Sequence, residues 1–189
     1  MGNLDAGVSS ADNGYMMMSL MYQRADQTGN FNAYINLGVV NASQAPVVDV
    51  RLFQYYKKYY DHCYIDWRTS STGAWNSMEI NALGEDVEVN GFLLGFRTYT
   101  LPLAAAGQGY LELRLRYTSL DSHLGNGYGY YWIVDDVSVL AGEADRMVAR
   151  AGEFVYEAYG IKPPTMKFKP TWYGRVENNG ANTQTEVTV

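Results

Sequence analysis

The sequence predicts an all-β fold, an antiparallel sandwich or barrel. Three observations carry that reading. From Val47 onward the chain breaks into short alternating runs separated by turn residues, which is the period-2 signature of half-buried strands. Seventeen Tyr and nineteen Gly stand against five Pro, and Tyr suits pleated surfaces while Gly suits tight turns. No convincing helical pattern precedes residue 140.

The elements follow in order. "GYMMMSLMYQ" reads as a strand or a short buried helix, "RADQTGN" as a polar loop and "FNAYINLGVV" as a strand. "VVDVRLFQYY" sets Val48, Val50 and Leu52 against Asp49, Arg51 and Phe53. "HCYIDWRTS" sets Cys63, Ile65 and Trp67 against His62, Tyr64, Asp66 and Arg68, and "SSTG" turns before Trp75. "GEDVEVNG" reads as a charged hairpin or loop. "YLELRLRYT" is the cleanest strand, with Leu111, Leu113, Leu115 and Tyr117 opposed to Glu112, Arg114 and Arg116. After the Gly-rich "LGNGYG" comes a last strand, "YYWIVDDVSVL".

Beyond Leu140 the texture changes. "AGEADRMVARAGEFVYEAYGIKPP" has Met147, Val148, Ala151, Phe154, Val155 and Ala158 at helical spacing, yet Gly152 weakens a helix by about 1 kcal/mol relative to Ala. The same residues suit a linker and the first strand of a second domain. "TWYGRVENNGANTQTEVTV" reads as a hairpin turning at Asn178-Asn179-Gly180. The expected division is a sandwich over residues 1–142, a linker over 143–162 and the start of a further β-module over 163–189.

Composition bounds the function. A net charge of -6 argues against a nucleic-acid binder and fits an anionic membrane surface poorly. No window approaches the roughly 20 apolar residues of a membrane span, so no membrane insertion is expected. Cys63 is the single cysteine, which rules out an intrachain disulfide. "MGNLDAGVSS" has neither the basic nor the apolar region of a signal peptide and reads as the opening of a segment cut from a longer protein.

The order "LFQYY … YIDWRTSSTGAW … LPL … LELRLRY … GYYWIVDDVSV" resembles the MAM-like and concanavalin-like jelly-roll modules of extracellular proteins. In that family one strand ends in an aromatic pair, and the next leads through a Ser/Thr/Gly turn into a Trp. A later strand carries Arg-x-Arg, and the last reads close to Trp-Ile-x-Asp-Asp-Val-x-Val. Here these fall on Tyr55-Tyr56, Trp75, Arg114 to Arg116 and Trp132 to Val139, within a match over roughly Asn30 to Leu140. The paired cysteines of the animal modules are absent, and Val134 separates Ile133 from the Asp pair. The bacterial surface version is therefore the nearer likeness. The tail "YGIKPP … FKPTWYGRVENNGANTQTEVTV" is similar to the opening of bacterial immunoglobulin-like adhesion modules.

The resemblance implies a two-sheet antiparallel jelly-roll sandwich with a C-terminal β-hairpin or partial Ig-like segment. It also implies a non-catalytic module at the cell surface or outside the cell, covalently linked to neighbouring domains. Modules of this kind bind glycan or a surface protein, or act as spacers accessory to a secreted peptidase or glycosidase. Several hold a structural Ca²⁺.

Two candidate sites follow. Strict alternation places Asp135 with Ile133, Val137 and Val139 on the apolar face, and Asp136 with Trp132, Val134 and Ser138. An unpaired carboxylate in a core costs several kcal/mol, roughly, so Asp135 needs an arginine, backbone amides or a cation. Ca²⁺ held by Asp135 or Asp136 with Asp12 and Asn13 of "SADNG" is one answer, and an Asp held by amides and Arg is the other. The second site is the polar strand face of Tyr64, Asp66, Arg68, Glu112, Arg114 and Arg116, with Arg51, Phe53 and Tyr55 expected to join it. Rings beside planar hydrogen-bonding groups suit a glycan, and cross-strand charge pairing is the plain alternative. The loop tyrosines Tyr128, Tyr130 and Tyr131 offer another recognition surface.

An enzyme is not expected. His62 and His123 sit in no HExxH or nucleophile-elbow motif, and Asp86 and Glu88 lie in a loop-like stretch. The leading expectation is a non-catalytic binding or adhesion module with a glycan ligand, and the alternative is the structural spacer.

Overall fold

The computed structural model describes residues 14–19, 31–84, 86–119, 129–155 and 171–185. Two compact units divide the chain, residues 1–142 and 143–189. Among the described residues there is no α-helix, and so none long and apolar enough to cross a membrane.

The first unit contains β1 (Met16–Ser19), β2 (Phe31–Val40), β3 (Val47–Lys57), β4 (Asp61–Arg68), β5 (Asn76–Ile80), β6 (Phe92–Thr100), β7 (Leu111–Ser119) and β8 (Tyr131–Gly142), with a 3-10 turn at Leu103–Ala105. They form two four-stranded antiparallel sheets, ordered β1-β8-β3-β6 and β2-β7-β4-β5. Among the described strands of this unit, only β4 and β5 are neighbours both in sequence and in a sheet. This interleaving of two stacked sheets is the jelly-roll sandwich.

Alternation explains the core. Val48, Val50, Leu52 and Tyr56 of β3 meet Cys63, Ile65 and Trp67 of β4 and Leu111, Leu113, Leu115 and Tyr117 of β7 in one buried cluster. Each fully buried aliphatic side chain there contributes roughly 1.5–3 kcal/mol. "GYMMMSLMYQ" resolves as a strand over Met16–Ser19, laid against β8 with Met18 opposite Trp132.

Two buried polar clusters tie the layers. Gln54 of β3 exchanges amide bonds with Asn81 beyond β5, at 2.9 and 3.0 Å. It also receives Trp132 Nε1–H at 2.9 Å, and Tyr99 donates its hydroxyl to Asn81 at 2.6 Å. At the β3–β4 turn, buried Asp61 accepts the hydroxyls of Tyr56 and Tyr117, each at 2.5 Å. The buried Lys58 ammonium donates to the Asp61 backbone carbonyl.

Two expectations for the first unit need correction. Strict alternation fails in β8, because Arg51 pairs with Ser138 while Phe53 pairs with Asp135. One extra β8 residue is taken up there, and Asp136 adopts φ 46°, a bulge that flips the side-chain order. Trp132 and Val134 therefore face the core together with Val137 and Val139, while Asp135 shares the outer side with Phe53 and Ile133. Asp135 is buried, but on the outer face rather than in the core between the sheets. Secondly, Arg51, Phe53 and Tyr55 do not join the polar face of β4 and β7. They belong to the other sheet.

In the second unit, β9 (Met147–Val155) pairs antiparallel with β10 (Thr171–Asn178). The sequence leaves residues 143–162 open to a helix or to a linker with the first strand of a second domain, and Met147–Val155 is a strand. Past the turn at Asn178-Asn179-Gly180 the described residues 181–185 form no strand paired with β10, and the rest of the second strand expected there, residues 186–189, lies outside the described residues. Instead the chain returns beside residues 144–146, with Asn179 N–H on the Arg146 carbonyl at 3.0 Å and Asn182 N–H on the Ala144 carbonyl at 2.9 Å. A Cβ at Gly180 would lie 2.3 Å from the Ala144 carbonyl oxygen, so only glycine fits.

Candidate functional site

The outer face of β2-β7-β4-β5 carries the polar set. In the β4–β7 register Tyr64 stands opposite Arg116, Asp66 opposite Arg114 and Arg68 opposite Glu112. Six expected ligand-face residues are therefore brought together, because two strands with apolar odd positions must both turn their even positions outward.

Asp66 is the hub, and it is buried. It accepts Arg114 Nε at 3.0 Å, Arg116 Nε at 2.9 Å and a terminal Arg116 nitrogen at 3.1 Å. Ser77 of β5 donates its hydroxyl to the same carboxylate at 2.7 Å. Burial opposes the Asp66 charge, but the arginines and Ser77 outweigh it and hold the carboxyl below its ordinary range. Arg68 pairs with Glu112 at 2.7 Å, and Tyr110 donates to that glutamate at 2.6 Å. Both partners lower the Glu112 carboxyl as well.

Rings lie against these guanidiniums. Arg116 sits 4.0 Å from the Tyr64 ring centroid. Arg114 lies 4.3 Å from the Tyr34 ring and 4.0 Å from the Trp75 ring, and Arg68 lies 4.6 Å from Trp75. Each contact is worth roughly 0.5–1 kcal/mol at an exposed site and more when desolvated. The result is a pre-set platform of alternating ring and guanidinium, with Tyr34 exposed at one side. Among the described residues, Arg114 bonds Asp66 through Nε, and its two terminal nitrogens bond no other described residue. Tyr34 was not singled out from the sequence. Its signal was there, because Ala33 and Ile35 pack on the core and force the residue between them outward.

The loop set lies elsewhere. Tyr130 donates its hydroxyl to Asn90 at 3.0 Å, its ring meets Tyr59 at 5.5 Å, and Lys57 Nζ lies 4.0 Å from it. Tyr131 packs at 5.4 Å from Tyr55. Tyr128, Asp12, Asn13 and His123 lie outside the described residues.

For a cation, the described part of the expected ligand set is Asp135 and Asp136. Asp135 Oδ1 already accepts the Asp136 N–H at 2.9 Å, and Asp136 is exposed at the bulge. Among the described residues no three His, Cys, Asp or Glu side chains converge closely enough to hold a metal ion. His62 pairs with Glu79 at 2.7 Å on the surface. Asp86 accepts the Ala82 N–H at 3.2 Å in a turn, as a loop residue would.

No protein-family model matches the chain, and no curated protein matches it.

Proposed function

We propose that this is a non-catalytic binding module of a larger secreted or surface protein, and that it takes a glycan on the outer face of β2-β7-β4-β5. One observation carries the reading: Arg114, anchored by Asp66, lies between the rings of Tyr34 and Trp75. Aromatic faces accept the apolar face of a pyranose, while fixed N–H donors meet its hydroxyls. Because the anchoring is complete before a ligand arrives, little ordering cost remains. The carboxylates also favour binding over catalysis. Asp66 and Glu112 are held ionised by their partners, and a general acid needs a raised pKa instead. The MAM-like resemblance agrees with this reading and adds the extracellular setting.

A glycan array on the wild-type protein and on Trp75→Ala tests it. Binding that falls at least tenfold in Trp75→Ala supports the platform. An array blank for the wild type favours the spacer instead.

The calcium part of the resemblance is separable. We place it at Asp135 and Asp136 with Asp12 and Asn13, since β1 pairs with β8 and sets the start of the described chain beside the bulge. A melting temperature raised by millimolar Ca²⁺, but not in Asp135→Asn, supports it. Superimposed curves with Ca²⁺ and with chelator reject it.

A further inference from the structure

The opposite sheet has an outer face of different chemistry. Along β6, Phe92, Leu94 and Phe96 are 53%, 57% and 46% exposed. They stand beside Lys57, Tyr55 and Phe53 of β3 in the antiparallel register. Phe96 meets Phe53 edge-on at 5.4 Å and Phe92 stacks on Tyr55 at 5.8 Å, so two aromatic pairs, with Leu94 between them on β6, line an apolar stripe. A cation closes each end. Arg51 lies 4.1 Å from the Phe96 ring centroid, and Lys57 Nζ lies 5.2 Å from that of Phe92. Of the acids near this stripe, Asp49 and Asp135 are buried, and Asp136 is exposed at the β8 bulge. Among the described strands, β6 pairs with β3 alone and so forms a sheet edge nine residues long.

From this we infer that β6 and its apolar stripe receive an extended peptide with a carboxylate at each end, which adds to the sheet as a further strand. A long apolar edge is a standing template for strand addition, with main-chain bonds giving affinity and alternate side chains giving specificity. The charges select the occupant. A second copy packing this face on its own face about a two-fold axis would set Arg51 against Lys57, or Arg51 against Arg51, depending on the axis. Either arrangement presses cation on cation in a desolvated interface. An acidic-ended strand meets both cations instead. Arg51 and Lys57 are six positions apart in β3, a span of roughly 20 Å at about 3.3 Å per residue, which seven extended residues match.

The test uses a capped, dye-labelled seven-residue peptide with glutamate first and last, valine third and fifth, and threonine between. A control peptide has lysine at both ends. Fluorescence anisotropy should show saturable binding of the glutamate peptide that weakens with salt, and at least tenfold weaker binding of the lysine peptide. Leu94→Asp and Arg51→Glu should each weaken the glutamate peptide at least tenfold. Both positions are exposed, and unchanged melting curves would confirm that the variants fold. Amide hydrogen exchange should slow in β6 on binding. Lack of binding, equal binding of the two peptides, or binding without slower β6 exchange overturns the proposal. Wild-type protein sedimenting as a dimer that Leu94→Asp makes monomeric also overturns it, in favour of a second copy.

Discussion

Arg116 grips Asp66 through two bonds, Nε to Oδ2 at 2.9 Å and a terminal nitrogen to Oδ1 at 3.1 Å. In β4 the residue directly opposite Arg116 is Tyr64, not Asp66. The fork is therefore a diagonal contact, and it lays the guanidinium across the Tyr64 ring on its way. Arg114 reaches the same carboxylate from the directly opposed position. A single buried acid thus fixes two cations and, through them, the rings of Tyr34, Tyr64 and Trp75 that lie against them.

Asp66 should make the protein acid-sensitive in a defined direction. Its folded pKa lies below the unfolded value of about 3.9. The folded state then binds fewer protons, so the stabilisation is present above that value and is lost as pH falls through the folded pKa. Urea unfolding from pH 6 down to pH 2 should show this decline. Asp66→Asn should show a shallower one, with stability at pH 6 lower by about 3 kcal/mol because two half-buried arginines lose their acceptor.

The β8 bulge makes a backbone prediction. Asp136 holds φ 46°, a region that Asp and Gly tolerate and β-branched residues resist. Asp136→Val should be less stable than Asp136→Gly by about 1 kcal/mol or more, measured as a difference in urea midpoint at constant slope. Equal midpoints would mean that the bulge has moved or is absent.

How far the sequence revealed the fold depended on whether a strand separates its faces. β4 and β7 do so cleanly, with Cys63, Ile65, Leu113 and Leu115 inside and Tyr64, Asp66, Arg114 and Arg116 outside. Hence both those strands and their shared polar face could be read directly. β6 could not, because Phe92, Leu94 and Phe96 are apolar on its outer side while Leu93 is apolar on its inner side. The pattern also cannot announce a bulge, so a two-residue periodicity carried through Asp136 put Asp135 on the wrong face. In Met147–Val155 helical spacing leaves helix and strand both open for a related reason: those residues pair with β10, a long-range contact that no local period encodes.

The Gln54 cluster should be costly to break and unequal in its parts. Gln54 accepts from Trp132 and Asn81 and donates to Asn81 and Tyr99. Gln54→Leu leaves several buried groups without partners, at about 1–3 kcal/mol each, so a total loss of about 3 kcal/mol or more is expected. Tyr99→Phe removes one hydroxyl and should cost about 1 kcal/mol. Urea denaturation of both variants checks the ranking, and a larger loss for Tyr99→Phe would contradict it.

The Asp61 cluster makes the last prediction, at the alkaline end. Burial first, and then the charge and hydrogen bond of Asp61, push the Tyr117 phenol far above its ordinary value of about 10; Tyr56 is raised by burial, the Cys63 thiol and Asp61. Below pH 10 both states keep these protons and the stabilisation is complete. Above it the unfolded chain releases them while the folded chain does not, so stability falls as pH rises, by about 1.4 kcal/mol per pH unit for each such tyrosine. Tyr117→Phe should reduce that slope by one proton, even though it lowers stability at pH 7 by taking a donor from Asp61. Other raised groups, such as the buried Cys63 thiol, contribute equally to both proteins and cancel in the comparison. Parallel urea series from pH 9 to 11.5 measure the two slopes. Identical slopes would show that the Tyr117 phenol ionises in the folded protein, and would place water where the structure has only Asp61.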